Sequence, residues 1–91
     1  MEEAQIRWAK GGEGRVLKAE DDRVEVASTI PSAPGSRLFG SLASGTAVRV
    51  KVARCRRQAE VFVIEGRLLD ATRDARTEIA ALAAPAPAQD P

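Results

Sequence analysis

The chain has no histidine, no tyrosine and a single cysteine. Without histidine, a serine or cysteine nucleophile lacks its usual base near neutral pH, and no Cys/His set exists to hold zinc. Cys55 has no second cysteine with which to close an intramolecular disulfide. No pair of carboxylates or lysines stands out from the solvated charges, so the chain reads as non-catalytic, with no metal and no other cofactor.

Long apolar runs are missing as well. No stretch approaches the roughly 20 apolar residues a membrane span needs. The start, Met1-Glu2-Glu3-Ala4-Gln5, lacks the basic-then-apolar order of a secretory signal. Both absences predict a cytoplasmic protein that does not insert into membranes. The formal net charge is only +1, which supplies no global attraction to nucleic acid or to an anionic membrane.

What is present is a strand pattern on a chain of 91 residues, the size of one domain. Residues 1–14 mix charges with Ile6 and Trp8 and end in Gly11-Gly12-Glu13-Gly14, which reads as an N-terminal arm. From Arg15 the period becomes two. Arg15 to Ala19 and Arg23 to Ala27 form a hairpin around Glu20-Asp21-Asp22, and Pro31 to Ser36 is a connecting loop. Arg37 to Leu42 is a short strand. Thr46 to Cys55 is the most regular one, with Val48, Val50 and Val52 facing one way and Arg49, Lys51, Ala53 and Cys55 the other.

Arg56 to Ala59 reads as a turn, and Glu60 to Leu68 as a strand with Phe62, Ile64 and Leu68 on one face and Val61 and Val63 on the other. Asp70 or Thr72 is placed to cap a helix whose stripe is Ala71, Ala75, Ile79 and Leu82. Alternating prolines make residues 84–91 a disordered tail. The expected fold is therefore mainly β, a small antiparallel barrel with a short C-terminal helix over residues 15–83. Its expected core is Val16, Val24, Val26, Val48, Val50, Val52, Phe62 and Ile64.

Several segments carry a family likeness. Gly14-Arg15-Val16-Leu17, the acidic hairpin, Val24-Glu25-Val26, Ala33-Pro34-Gly35-Ser36 before the valine strand, and Phe62-Val63-Ile64-Glu65-Gly66-Arg67-Leu68 follow one another in an order that resembles a PilZ domain, over about residues 6–79. The resemblance implies a six-stranded barrel with a C-terminal helix, in a bacterial family many of whose members bind cyclic di-GMP. Binding in that family uses an R-x-x-x-R pair ahead of the first strand, where this chain offers only Arg7 and Lys10. It also uses D/N-x-S-x-x-G in the first hairpin, where Lys18, Glu20 and Arg23 occupy the three defining positions. Carboxylates at that place oppose a dianionic ligand. The resemblance thus implies a degenerate member that binds cyclic di-GMP weakly or not at all and acts as an adaptor.

Arg49, Lys51, Arg54, Arg56 and Arg57 put five cations within nine residues free of acids. Together with Val61, Val63 and Trp8 they are the candidate partner-binding residues. Trp8 is read as an anchor for a partner or as a cap over one end of the barrel. Three functions compete. The first is a PilZ-type regulatory adaptor that binds a protein, with self-association included. The second is a cyclic di-GMP sensor using noncanonical arginines such as Arg54, Arg56 or Arg57. The third is a nucleic-acid-binding barrel of OB or SH3 type, disfavoured by the near-neutral charge and by having only one tryptophan and two phenylalanines.

Overall fold

Period-two valines bury one face of each strand, and closing the sheet on itself is the way a small all-β chain hides that face without a second sheet. The computed structural model describes residues 4–83. It contains β1 (Ile6–Trp8), β2 (Glu13–Glu20), β3 (Arg23–Ser28), β4 (Arg37–Leu42), β5 (Ala47–Gln58), β6 (Val61–Leu68) and α1 (Arg73–Ala83). All neighbours are antiparallel, and the barrel closes in the order β1-β2-β3-β6-β5-β4, with β4 pairing back onto β1. The expected class, a small antiparallel barrel with a short C-terminal helix, is the observed one. The expected tail, residues 84–91, lies outside the described residues.

Five strands are read from the sequence pattern, and the sixth sits in what reads as an arm. Ile6 pairs with both Gly14 and Leu42, and Trp8 pairs with Gly40, so β1 is the stave that closes the barrel. Trp8 is 4% exposed and belongs to the core, so within a single copy of the chain it is not an open anchor for a partner. Room for the indole comes from two glycines. A Cβ on Gly14 would stand 2.8 Å from Trp8 Cζ2, and one on Gly40 would stand 2.8 Å from Trp8 Cε3. The indole Nε1 donates to Ser28 Oγ at 3.0 Å, and that hydroxyl donates in turn to the carbonyl of Ile30 at 2.7 Å. A buried donor is thereby satisfied, as it must be for Trp in a core.

Seven of the eight expected core residues are buried. Phe62 is the exception. It points to the inner side, but it stands opposite Ser28, the last residue of β3, and it is only half-buried. Ile6, Trp8, Leu38, Leu42, Leu68 and Ile79 complete the core.

The strand β5 is longer than its valine pattern suggests, and Arg56 and Arg57 belong to it and not to a turn. Its register with β6 slips between Val52 and Arg54, where Ala53 is the extra residue of a β-bulge. The slip reverses the alternation. Cys55, expected on the face of Arg49 and Lys51, pairs with Ile64 and packs against the core. Beside the slip, Gly66 on β6 lies so close to β5 that an added Cβ would run into the carbonyl of Lys51 and stand 2.6 Å from Val50 Cγ1. Only glycine fits there.

Thr72 caps α1, its Oγ1 accepting from the Ala75 N–H at 3.0 Å, while Asp70 takes a left-handed turn conformation with φ of 53°. The stripe seats as expected: Ala75 and Ile79 are buried, and Ala71 and Leu82 pack against the core. The helix lies against β2. Two polar contacts fasten its outer side. Glu78 accepts from the hydroxyls of Ser44 and Thr46 in the β4–β5 turn, the latter at 2.7 Å, and Arg76 pairs with Asp22 at 3.0 Å.

Candidate functional site

With the apolar side chains turned inward, the chemistry lies on the outer face of β4, β5, β6, β3 and β2, where strand register stacks charges in rows. One row runs Arg37, Lys51, Arg67, Arg23, each directly opposite the next on adjacent strands, and Glu20 on β2 faces Arg23 at its end. All four cations are exposed. Adjacent strands are about 4.8 Å apart, so the row is about 14 Å long.

The neighbouring row runs Lys18, Glu25, Glu65, Arg54. Its two carboxylates face each other and share Arg56, which reaches Glu65 at 2.9 Å and Glu25 at 3.5 Å. The third row is Arg15, Ala27, Val63, Arg56.

Two further carboxylates are engaged as well. Asp70 pairs with Arg49 at 3.5 Å, and Asp22 pairs with Arg76. Among the described residues, none of Arg37, Lys51, Arg67 and Arg23 has an acid within ion-pair distance. Like charges directly opposite on adjacent strands destabilise a sheet. This row is therefore a cost in stability that the fold itself does not require.

Two hollows flank its end. A groove of about 470 Å3 is lined by Lys18, Glu20, Arg23, Val24, Glu25, Ala53, Glu65, Gly66 and Arg67. A smaller one of about 300 Å3 is lined by Glu20, Asp21, Asp22, Arg23 and Arg67. Arg23 and Arg67 line both.

The residues singled out from the sequence fall into three groups. Lys18, Glu20 and Arg23 come together in the larger groove, but Arg7 and Lys10 do not join them. Arg7 pairs with Glu13 at the opposite end of β2 from Glu20, about 20 Å away along the strand, and lies within the first strand instead of ahead of it. The basic set of β5 is divided. Arg49 stacks over the Phe39 ring, 5.9 Å from its centroid, and pairs with Asp70; Arg56 is held by its two glutamates. The bulge sends Arg54 outward and Arg57 to the side of Phe62. Only Lys51 of that set belongs to the unpaired row.

The apolar pair fares differently from expectation. Val63 is 4% exposed within a single copy of the chain, flanked on its row by Ala27 and Arg56, and Val61 is half-buried. Val63 is thus covered within a single copy of the chain and is not an open partner surface.

Sequence reading missed Arg37 and Arg67. Each is a lone cation in its own strand, and no local pattern marks it; only register brings them beside Lys51 and Arg23. The carboxyl of Glu78 is held below its ordinary value by the hydroxyls of Ser44 and Thr46 that donate to it. It belongs to the docking of α1, not to the charged face.

No protein-family model matches the chain, and neither a curated protein nor a solved structure matches it.

Proposed function

We propose that this chain is a non-catalytic regulatory domain of the PilZ type that works in the bacterial cytoplasm as an adaptor, binding a protein partner through the outer face of β4, β5, β6 and β3. The observation that carries the reading is the row Arg37, Lys51, Arg67, Arg23, four exposed cations in register that no acid among the described residues neutralises. A costly arrangement on a surface, with no structural return, fits a binding role. The segment order and the closed six-stranded barrel followed by a helix support the PilZ part of the reading. No helix among the described residues is long and apolar enough to cross a membrane.

Cyclic di-GMP is not the expected ligand. The groove at the hairpin holds Glu20, Glu25 and Glu65 alongside its cations, and the basic residues nearest the chain start stand at the far end of β2. Isothermal titration with cyclic di-GMP at physiological salt is expected to give no saturable isotherm. Low-micromolar saturation would replace the adaptor reading with a nucleotide sensor that uses Arg23 and Arg67.

A further inference from the structure

We infer that the row Arg37, Lys51, Arg67, Arg23 is the docking site for an extended acidic segment of a partner protein, with carboxylates at alternate positions. The inference rests on the adaptor reading and names the chemistry of its partner.

The usual reason for placing cations on a strand is to keep an open sheet edge from pairing with another molecule. That reason does not apply here. Lys51 pairs with Arg37 and Arg67, and Arg67 pairs with Lys51 and Arg23, so these are interior positions of a closed wall. Three carboxylates beside the row are turned to other arginines, Glu25 and Glu65 to Arg56 and Asp70 to Arg49, and Glu20 stands only at the row's end, opposite Arg23. What remains is a line of four cationic groups about 14 Å long, three of them guanidinium forks made for carboxylate oxygens.

Length selects the ligand. In an extended peptide, carboxylates two residues apart stand about 6.8 Å from one another, so three of them at alternate positions span about 14 Å. A single phosphate would meet one or two of the cations and leave the others opposed. A nucleic-acid strand fits less well. Its phosphates would run on into Glu20 and Asp21 at the end of the row, and the one large hydrophobic exposed beside it, Phe39 at 48%, already carries Arg49 on its ring.

The test is fluorescence anisotropy on the full chain at low ionic strength. Its probe is a fluorescein-labelled nonapeptide carrying aspartate at its third, fifth and seventh positions and glycine or serine elsewhere. A labelled oligothymidylate of equal charge serves as the second probe. Saturable peptide binding on the order of 100 µM is expected, weakening steeply as salt approaches about 0.15 M. Arg67→Glu should weaken it at least about tenfold, and Arg73→Glu on the helix should leave it unchanged. Thermal melts make the second readout. Because Arg67→Gln removes repulsion from both neighbours, it should raise Tm by about 2–4 °C while weakening the peptide.

An absence of peptide saturation, oligothymidylate binding as tightly as the peptide, indifference to Arg67→Glu, or a lowered Tm for Arg67→Gln each overturns the inference. The cyclic di-GMP titration separates this failure from a deeper one. A flat nucleotide isotherm leaves the adaptor reading in place with a partner of other chemistry, whereas a saturable one removes the adaptor reading itself.

Discussion

The two halves of β5 follow different rules. From Ala47 to Val52 the strand is flanked by β4 and its leading residues Gly35 and Ser36, with β6 joining on the other side from Val50, and every second side chain is buried. From Ala53 to Gln58 it pairs with β6 alone among the described residues, and only Cys55 is even half-buried. One extra residue, Ala53, separates the halves. The first half is held by burial on one face and by the β4 ladder along its length, while the second is an edge held by the β6 ladder and the ion pairs of Arg56. Periodicity is thus a reliable guide to facing only as far as the register continues unbroken.

The sharpest way to break this contrast is at the junction. Gly66→Val places a side chain against the carbonyl of Lys51 and the Val50 side chain on β5. The variant should lose about 3 kcal/mol or more, measured by urea denaturation, because backbone on both strands has to move.

A paired comparison comes next. Val50→Ala in the first half leaves a cavity in the centre of the barrel and should cost about 2–3 kcal/mol. Cys55→Ala in the second half should cost less than about 1 kcal/mol, since Cys55 is only half-buried. Thiol labelling sharpens the same point. Cys55 should react with a disulfide reagent more slowly than the unfolded chain does, whereas strict alternation would have left it fully accessible.

Smaller still is the tip of the hairpin, where Ala59 holds a left-handed φ of 56°. Ala59→Gly should stabilise the chain by about 0.5–1 kcal/mol, as the Cβ strain is removed. A neutral result would show that the second half has no coupling to global unfolding.

The mildest effect concerns the entrance to the first half, where Glu78 joins α1 to the turn that leads into β5. Hydrogen bonds from Ser44 and Thr46 hold the Glu78 carboxyl below its ordinary value of 4.5. A depressed carboxylate contributes its stability above the unfolded value and loses it as pH falls through the folded value. Stability should thus be flat near neutrality and decline below about pH 4.5 more in the wild type than in Glu78→Gln, as followed by thermal melts across that range.

What could be read from the residues alone was what local chemistry enforces. Alternating valines at 48, 50 and 52, the acidic break Glu20-Asp21-Asp22, the Ala71, Ala75, Ile79, Leu82 stripe and a cap at Asp70 or Thr72 each carry their own signal within a few residues. A barrel with a C-terminal helix followed from them. Three things required the assembled wall. β1 was hidden because Trp8 between charges and glycines has no strand period; its partners are Gly14 and Gly40, and they make the space it occupies. The inward turn of Cys55 depends on a bulge fixed by the close packing of Gly66, a contact between strands. The charged row depends on register most of all. Arg37, Lys51, Arg67 and Arg23 come from four strands, and each is an ordinary exposed cation in its own segment. Sequence determines which face of a strand a residue takes as long as the register is unbroken, because there facing is a matter of local periodicity and burial. Which residue stands beside it is decided only when strands distant in the chain pair, since hydrogen-bond register is a property of two strands and never of one.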